Sequence, residues 1–401
     1  MVWVTGLGLA SPHGDDAPRV FAALMRGESA VRQILPELAK PTAAAPVAFD
    51  ETRWFTKLQL AGVDRVSQLA VAAADLAMRD AGDGAMRSLD PERIGVYVGC
   101  GMGGAAALEL AYRSTTGRVP PLTIPAFMPN APAAHVAMRQ HAQGPVFTYS
   151  VACASSAVAI AEAAKALERD EVDLAIVGGT EALLVPGVVL AWQAMQTLAG
   201  FAPGEAATAC RPFSTERSGF VLGEGAAFLV LESAARAKAR GARAYAELAG
   251  WGVSCDAAHL SKPEAAGQAR ALRAALRTAK LNPADVGYCN AHGTATKIGD
   301  VVEADALRSV WGDALGNLRV SSTKALHGHL LGAAGALEAV ITVLALYQRQ
   351  LPPNAHCAIP DPACGLNLVR EPGTAAPGLE AALTSSFAFG GTNAALVFKR
   401  L

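Results

Sequence analysis

The feature that most constrains the fold of this chain is a pattern of segments that recurs in its two halves. Residues 90–104, DPERIGVYVGCGMGG, resemble residues 282–296, NPADVGYCNAHGTAT, because both run from Asp-Pro or Asn-Pro through a buried strand into a glycine-rich turn. Two further pairs correspond in the same way: residues 4–14 with 248–259, and residues 150–167 with 324–346. The shared order of the three pairs favours a duplicated unit over chance repetition of common α/β patterns.

The strands and helices of this unit can be recognised from hydrophobic patterning. Apolar runs at 93–101 and 174–182 indicate buried strands that end in glycine turns. Alanine-rich stretches at 66–82 and 155–169 between them have the length and composition of helices. Alternating strands and helices predict an α/β fold with mostly parallel sheets.

The duplication predicts two halves, residues 1–240 and 241–401, joined around the basic segment ARAKARGARA. The turns of two such halves are expected to face each other across one cleft. That arrangement would bring Cys153 of the first half toward His292, His329 and the FGGTN loop of the second.

Composition and charge exclude several classes of function. The formal net charge is −1, which provides no basic field for nucleic acid or an anionic membrane. The start lacks the pattern of a signal peptide, and apolar stretches such as 335–348 are interrupted before membrane length. The seven cysteines are scattered without a CxxC pair, so neither a disulfide framework nor a zinc site is expected. We expect a reduced, soluble, cytoplasmic protein.

Cys153 is the candidate nucleophile. It lies in SVACASSAVAI, between an apolar strand and a predicted helix, with small neighbours that leave room for a substrate. The positive end of the helix dipole is expected to lower the pKa of this thiol and favour the thiolate. The alternative interpretation is a small buried cysteine without chemistry, which we retain for the other six.

The segment NAHGTAT, residues 290–296, is a strand exit with one histidine and two hydroxyls. His292 can project into a cleft there, and Thr294 and Thr296 can hydrogen-bond an extended polar ligand. Asp300 and Glu303 follow at spacings suited to orienting the loop through backbone contacts. The alternative is a structural histidine in a loop.

The segment KALHGHLLGAAGALEA, residues 324–339, places Lys324, His327 and His329 within six positions. A nearby lysine disfavours the imidazolium, so a histidine here is expected to stay neutral and donate an N–H to a substrate oxygen. A buried Lys324 needs a counter-charge, and Glu338 is the nearest acidic residue along the chain. The alternative is a solvated lysine and a capping histidine.

The double glycine of FAFGGTNAALVF, Gly390 and Gly391, allows backbone N–H groups to approach a substrate closely, as an oxyanion hole requires. A tight hairpin explains the same residues without function. No GxGxxG or GxxxxGK[ST] fingerprint occurs in a suitable context, which argues against a nucleotide cofactor.

Five motifs together resemble the elongating β-ketoacyl-acyl carrier protein synthases, over essentially the whole chain. They are VTGLGLASP, CRPF with GFVLGEGA, NAHGTAT, the lysine with GHLLGAAGALE, and SFAFGGTN. The resemblance implies a duplicated five-layered αβαβα thiolase-like fold, and a homodimer or a heterodimer with a related ketosynthase or chain-length-factor subunit. It also implies an acyltransferase that condenses an acyl thioester with malonyl-acyl carrier protein in fatty-acid, polyene or polyketide elongation. Substrates would be carried on phosphopantetheine, with no separate cofactor and no metal.

Carried onto this chain, the resemblance makes Cys153 the acyl-accepting nucleophile and His292 and His329 the decarboxylation pair. Lys324 becomes their electrostatic partner and Glu338 its support. The backbone N–H groups of Cys153 and Phe389 would form the oxyanion hole, with the Phe389 ring as a gate to the acyl pocket. Substrate-contacting positions would be Thr294 and Thr296 at the phosphopantetheine arm, Met102 in the acyl channel, and Phe387, Gly390 and Gly391.

Three departures from the family pattern stand out. His327 replaces a threonine, and Ser218 replaces an aspartate. The basic residues expected to meet an acidic carrier are sparse: Lys57, Arg65, Arg113 and Arg118. If His327 and His329 share a helical turn, about 200° separates them, so at most one faces the cleft. The family register assigns that position to His329, and His327 either hydrogen-bonds locally or reshapes the approach of an unusual carrier or acyl chain.

Alternative functions differ in their cysteines and histidines. A coenzyme A-dependent thiolase has an earlier nucleophile and a second cysteine near the C-terminal end, whereas residues 365–401 contain none. A non-catalytic chain-length factor loses the nucleophile, which this chain keeps. A condensing enzyme of the Cys-His-Asn type would have asparagine where GHLLGAAG supplies a histidine. The active subunit of a heterodimer with a chain-length factor stays open.

Overall fold

A computed structural model of the chain describes residues 1–87 and 89–401. The strands in the described residues are β1 Val2–Ala10, β2 Arg32–Ile34, β3 Thr42–Ala45, β4 Ile94–Gly99, β5 Val146–Tyr149, β6 Leu174–Glu181, β7 Leu222–Gly223, β8 Gly225–Ser233, β9 Ala246–Cys255, β10 Tyr288–Asn290, β11 Arg319–Ser321, β12 Gln350–Leu351, β13 Asn367–Leu368, β14 Thr374–Ala375, β15 Ala381–Phe387 and β16 Thr392–Lys399. The α-helices are α1 Ala17–Met25, α2 Arg65–Ala81, α3 Ala105–Tyr112, α4 Thr123–Phe127, α5 Ala131–Gln140, α6 Ser155–Glu168, α7 Pro186–Ala194, α8 Ala234–Ala239, α9 Ala265–Ala279, α10 Gly299–Trp311, α11 Lys324–His327 and α12 Ala334–Gln348.

The main sheet repeats one strand arrangement in each half of the chain. Its order is β13-β11-β10-β15-β16-β9-β1-β8-β6-β4-β5. Outward from the central β1–β9 pair, the order β1-β8-β6-β4-β5 is matched by β9-β16-β15-β10-β11. β1 and β9, which were predicted to correspond, occupy equivalent places in this arrangement, and so do β4 and β10. The predicted boundary between residues 240 and 241 falls between α8 and β9 and stays a prediction.

The expectation of mostly parallel sheets is wrong for the centre of the sheet. β4 pairs in parallel with β5 and β6, and β10 with β11 and β15. The central pairs, including β1 with β8 and β15 with β16, are antiparallel. The β15–β16 connection is only four residues long, and a parallel pair needs a crossover of a dozen or more.

Helices pack in three layers around the two halves of the sheet. α2 lies on β1 and β8, α9 lies on β9 and β16, and α6 and α12 contact each other between the halves. Buried residues of α6 and α12 belong to one hydrophobic cluster that also includes strands of both halves. This is the five-layered αβαβα arrangement that the family resemblance implied.

The two central helices begin in the same way. A short 3₁₀ turn, residues 152–154, leads into α6, and another, residues 331–333, leads into α12. Ala152 and Leu331, the first residues of these turns, have φ of 49° and 48°. The predicted correspondence of the two turns is therefore visible in the backbone as well as in the residue types.

Small residues allow α6 and α12 to lie close together. A Cβ added to Gly335 would lie 2.9 Å from backbone and side-chain atoms of Ala157. Ser156 Oγ accepts the Ala336 backbone N–H at 2.9 Å. This close contact places the N-terminal turns of the two helices, and the functional groups they carry, side by side.

Leu331–Gln348 is the one helical stretch among the described residues that is long and apolar enough to cross a membrane. Of this stretch, 89% is buried inside the protein. Its apolar character is explained by the packing of α12 between the two halves of the sheet.

Candidate active site

Cys153 lies in the tight turn before α6, as the sequence predicted. The hydroxyl of Ser155 accepts the Val151 N–H at 2.9 Å and donates to the Ala152 carbonyl at 2.6 Å. These contacts hold the left-handed backbone of Ala152 and orient the next side chain. The Cys153 side chain faces the opposite half of the molecule and is 8% exposed.

The predicted lowering of the thiol pKa is wrong for this site. Burial raises the pKa of Cys153 to about 12, and the Glu181 carboxylate adds to the increase. Lys324 and the backbone N–H of Phe389 act in the opposite direction and lower the same pKa. The sequence argument considered the helix dipole alone, and desolvation of the thiolate in a closed site is the larger effect.

His329 is positioned by backbone contacts to the first half of the chain. Its N–H donates to the Val221 carbonyl at 2.7 Å, and its carbonyl accepts the Gly223 N–H at 2.9 Å. Its ring nitrogen Nε2 lies 3.0 Å from Cys153 Sγ. The histidine that the family register assigned to the cleft therefore contacts the candidate nucleophile.

The hydrogen bonds of His329 determine its neutral tautomer. The Leu331 N–H donates to Nδ1 at 3.3 Å, so Nδ1 is the acceptor and the proton lies on Nε2. His329 therefore directs an N–H donor, and not a basic lone pair, at the sulfur of Cys153. A donor at this position can bind a substrate oxygen that gains negative charge.

His292 lies just after β10 and faces His329. Their ring centroids are 5.3 Å apart, with the planes at 83°. The Glu303 carboxylate accepts the backbone N–H groups of His292 and Gly293 at 2.8 and 2.7 Å, and Ser385 Oγ donates to it at 2.9 Å. The prediction that Glu303 orients this loop is confirmed, and Asp300 likewise accepts the backbone N–H of Phe213 at 2.7 Å.

Lys324 and Glu338 form an ion pair in which both side chains are completely buried. The counter-charge predicted for Lys324 is therefore confirmed. Burial raises the pKa of Glu338 to about 7, whereas the adjacent ammonium group lowers it. Neither side chain lines the cavity described below. They act on the site through their charge, and we classify them as positioning residues.

Both active-site histidines are held in the neutral form. Burial lowers the pKa of His292 and of His329 well below the ordinary range, and the Lys324 ammonium lowers both further. The sequence predicted neutral rings on the basis of the lysine. The structure adds desolvation as the larger cause.

Cys153, His292 and His329 lie at the buried end of a cavity of about 500 Å³. Thr294 and Thr296 line it, as the resemblance implied, and their hydroxyl oxygens are 3.1 Å apart. Thr296 Oγ1 also accepts the Gly299 N–H at 3.2 Å. Ser218, which replaces a family aspartate, lines the same cavity.

The FGGTN loop contacts the site through some of the predicted residues and not others. Phe387, Phe389 and Gly391 line the cavity, and the ring centroids of Phe389 and Trp192 are 6.2 Å apart. Gly390, with φ of 86°, does not line it. Its N–H donates to the Leu260 carbonyl at 2.7 Å and so supports a neighbouring loop, and its predicted substrate contact stays a prediction.

Met102 does not line this cavity, and its predicted place in the acyl channel stays a prediction. Its side chain is 47% exposed and is not part of the cavity wall. The Glu181 carboxylate accepts the backbone N–H groups of Gly101 and Met102 at 2.8 and 3.3 Å, which fixes the turn. It also accepts the Gly332 N–H at 3.0 Å, so it ties together turns from the two halves of the chain.

Glu181 was not found by sequence reasoning. It is completely buried, and burial raises its pKa to about 7, whereas its three backbone hydrogen bonds lower that pKa. It acts on Cys153, because its negative charge raises the pKa of the thiol. The available signal was a single acidic residue at the end of the apolar run LAIVGGTEA.

One residue of the predicted carrier-docking set, Arg65, forms an ion pair with another residue of the chain. Arg65 donates to both oxygens of Glu224, at 3.0 and 2.7 Å, and to the Val47 carbonyl at 2.8 Å. Glu224 is a buried carboxylate that requires a partner, so the charge of Arg65 is already paired, and its place in the carrier-docking set stays a prediction. Arg113 pairs with Glu109 on α3 and stays largely exposed.

The exposed part of the cavity wall carries two lysines that the sequence did not single out. Lys262 and Lys297 both line the cavity and are exposed. Neither forms a salt bridge with another residue that the structure describes. Leu260, 76% exposed, and Ile298, 62% exposed, lie in the same wall.

His327 points away from the cleft, and this agrees with the prediction. The reason given for it, that His327 and His329 share a helical turn, is wrong. α11 ends at His327, and Gly328, with φ of 70°, breaks the helix before His329. The His327 ring is buried, with Nδ1 2.7 Å from the Gly328 carbonyl and Nε2 2.9 Å from Thr323 Oγ1. Nδ1 therefore donates and Nε2 accepts, which closes a ring of contacts across the helix that carries Lys324.

Substitutions at His327 should separate these two contacts. We expect His327→Asn, which keeps a donor near the Nδ1 position, to retain most activity, because it still holds the Gly328 turn before His329. His327→Gln places its amide near the Nε2 position, loses the contact with Gly328, and should lower kcat about tenfold because His329 is then less well positioned. Steady-state kinetics with several acyl chain lengths provide the measurement. Equal effects of both variants, or a changed chain-length preference without a change in kcat, would contradict a positioning role.

Known proteins are similar to this one along the whole chain. Two family models match, "Beta-ketoacyl synthase, N-terminal domain" over residues 1–237 and "Beta-ketoacyl synthase, C-terminal domain" over residues 245–358. A 3-oxoacyl-[acyl-carrier-protein] synthase 2 of Staphylococcus aureus is 37% identical, covering 100% of this chain and 98% of that protein. Nodulation protein E of Rhizobium meliloti is 41% identical, covering 100% and 99%.

Solved structures show the same similarity. A β-ketoacyl synthase from Burkholderia phymatum superposes with a TM-score of 0.92 at 34% identity, covering 100% of this chain and 99% of that one. The ishigamide ketosynthase/chain length factor has a TM-score of 0.92 at 31% identity, with the same coverage. A type II polyketide ketosynthase in complex with its acyl-carrier protein has a TM-score of 0.91 at 29% identity, again with that coverage.

Proposed function

The chain belongs to the β-ketoacyl synthase family, and on that premise we propose that Cys153, His292 and His329 perform a decarboxylative condensation. The observation that carries the proposal is the convergence of one sulfur and two imidazoles, with ligand atoms within 4.8 Å of one another, at the buried end of a cavity. Enzymes of this family act on acyl groups carried by phosphopantetheine and need no separate cofactor.

Acyl transfer to Cys153 is the first step of the proposed reaction. The sulfur attacks the carbonyl carbon of the incoming thioester, the carbon–sulfur bond to the carrier breaks, and the thiol proton ends on the departing carrier thiol. The backbone N–H of Phe389, which already faces the sulfur, can donate to the oxyanion of the tetrahedral intermediate together with the N–H of Cys153. The high thiol pKa keeps Cys153 protonated until a substrate arrives.

Decarboxylation and condensation form the second step. The malonyl thioester binds with its carbonyl oxygen between His292 and His329, and its carboxylate leaves as CO₂. The electron pair released becomes an enolate, whose charge the Nε2–H of His329 and an N–H of His292 stabilise. The enolate carbon then attacks the acyl-Cys153 carbonyl, a carbon–carbon bond forms, and the sulfur leaves and takes up a proton.

Neutral histidines suit this second step. A neutral imidazole donates an N–H without a full positive charge that would pair with the Cys153 thiolate. Burial keeps both rings neutral, and the Lys324 ammonium adds to this effect. Glu338 compensates the buried ammonium.

The experiment that tests the proposal is a condensation assay with acyl-primed enzyme and malonyl-carrier. We expect one CO₂ and one β-ketoacyl-carrier per turnover, measured by trapped ¹⁴CO₂ and by mass spectrometry of the carrier. A panel of acyl chain lengths, run with and without co-purified partners, identifies the substrate range and tests for a required second subunit. CO₂ release without carbon–carbon bond formation, with every chain length and partner, would contradict the proposal.

We propose that a second ketosynthase-type subunit covers the face around β5. This strand is an edge of the main sheet and leaves one row of backbone N–H and C=O groups unpaired. The elements α3, α4, α5 and β5 contact one another in series and expose apolar side chains. These side chains are Leu110, Tyr112, Ile124, Met138, Val146 and Phe147. The partner is a second copy of this chain or a chain-length-factor subunit, and the second case makes this chain the active half of a heterodimer.

We also propose that the acyl carrier protein docks over Lys262 and Lys297. These cations have no internal partner among the described residues, and the apolar Leu260 and Ile298 lie in the same part of the cavity wall. An acidic carrier with an apolar contact surface complements such a site. From there the phosphopantetheine arm would pass Thr294 and Thr296 on its way to Cys153. We place these reactions in the cytoplasm, where thiols stay reduced.

Charge reversal should distinguish this site from the surface predicted by the sequence. We expect Lys262→Glu and Lys297→Glu each to raise the KM for carrier-bound substrate about fivefold at low salt, with kcat nearly unchanged. Lys57→Glu is the matched control, because Lys57 is equally exposed but lies outside the cavity wall. An increase with Lys57→Glu and none with the other two would show that the carrier docks on the surface predicted by the sequence.

A further inference from the structure

Three atoms able to bind a metal meet at the buried end of the cavity. Cys153, His292 and His329 each offer one ligand atom, and these atoms all lie within 4.8 Å of one another. In addition, Nδ1 of His292 is buried without a hydrogen-bond partner among the described residues. One thiol and two imidazoles form a donor set that suits Zn²⁺, a cation of borderline softness.

The geometry is close to what a tetrahedral ion requires. With Zn–S near about 2.3 Å and Zn–N near about 2.0 Å, a sulfur and a nitrogen ligand lie about 3.5 Å apart. Cys153 Sγ and His329 Nε2 are 3.0 Å apart, and no ligand pair exceeds 4.8 Å. Side-chain movements that change these separations by about 0.5 to 1.5 Å would complete the site. The adjoining cavity leaves the fourth position open to water.

We propose that this triad is an inhibitory binding site for Zn²⁺ and similar divalent cations. On binding, the Cys153 thiol releases its proton to solvent and the thiolate forms a bond to the metal. His329 transfers its proton from Nε2 to Nδ1, gives up the Leu331 N–H contact, and coordinates through Nε2. His292 contributes a nitrogen lone pair, so no electron is transferred and the net change is one proton released.

A metal in this position would block both chemical steps of the proposed function. The thiolate is no longer free to attack a thioester, and neither imidazole presents its donor to an enolate oxygen. Metal binding itself does not depend on the proposed function, whereas the resulting inhibition rests on it. The two ideas are therefore tested by different measurements.

Titration with Co²⁺, which replaces zinc and absorbs visible light, tests binding directly. The full chain, freed of metal by a chelator, should bind one Co²⁺ with a thiolate-to-cobalt charge-transfer band, and added ZnCl₂ should remove this band. Cys153→Ala should abolish the band, and His329→Ala should weaken binding at least about a hundredfold. Cys255→Ala is the matched control, because Cys255 is the exposed free thiol, and it should keep the band.

Alkylation of Cys153 with iodoacetamide in the Cys255→Ala protein, which lacks the exposed thiol, provides a second test that leaves Cys153 itself unsubstituted. Modified protein that unfolds at the wild-type temperature should no longer bind Co²⁺. A band that persists in Cys153→Ala or after alkylation, or that disappears in Cys255→Ala, would overturn the assigned site. ZnCl₂ that occupies the site without slowing acyl transfer to Cys153 would overturn the inhibitory role. The Co²⁺ titrations contain no substrate. They therefore measure metal binding even if the proposed function proves to be wrong.

Discussion

Cys153→Ala is expected to eliminate acyl transfer to the enzyme, with a fall in condensation rate of at least about four orders of magnitude. No second nucleophile can replace the sulfur, because the groups nearest to it are two neutral imidazoles and backbone N–H donors. Mass spectrometry of wild-type protein incubated with acyl-carrier should show one acyl adduct, located on the peptide that contains Cys153.

The other cysteines supply the controls for this prediction. Cys255→Ala removes the exposed thiol and should leave both the adduct and the rate unchanged. Cys210 and Cys289 are completely buried and, unlike Cys153, do not line the cavity that a substrate would enter, so neither should be acylated. An adduct on Cys210 or Cys289 with Cys153 unmodified would disprove the assignment of the nucleophile.

His329→Ala is expected to lower malonyl decarboxylation about a hundred- to a thousandfold, the usual effect of removing one oxyanion donor. Acyl transfer to Cys153 should fall much less, because His329 directs an N–H donor at the sulfur and is not its base. CO₂ release from malonyl-carrier and the rate of adduct formation measure the two steps separately.

His329→Gln is the matched variant for this second prediction. Its side-chain amide is neutral and keeps an N–H donor near the position of Nε2, so it should recover part of the decarboxylation that alanine loses. His292→Ala should resemble His329→Ala, because the two rings face each other across the proposed enolate site. Equal losses of decarboxylation and of acyl transfer would show that the proposed division of labour between Cys153 and the histidines is wrong.

Prediction from sequence succeeded where a function depends on residue type and chain order. The structure brings Cys153, His292 and His329 together, as expected because each follows a strand or opens a helix in a repeated pattern. Glu338 was identified because a buried Lys324 needs a nearby opposite charge, and the two are in contact.

The features that the sequence did not reveal share one physical origin, because each depends on all surrounding atoms. The pKa of the Cys153 thiol depends on how completely the opposite half excludes water. The availability of Arg65 depends on the buried Glu224, 159 positions further along the chain. The conformation of the turn that carries Met102 depends on Glu181, which hydrogen-bonds that turn from another strand.

The order of strands, helices and glycine turns, and the chemical identity of the reactive groups, can be read from the chain because they depend on local periodicity and residue type. The role of each histidine cannot be read from the chain. His327 and His329 are two positions apart and have the same chemistry, yet Gly328 directs one ring back onto its own helix and the other to Cys153. That difference arises from contacts of His329 with Val221 and Gly223, more than a hundred residues away, and it exists only after the two halves have packed together.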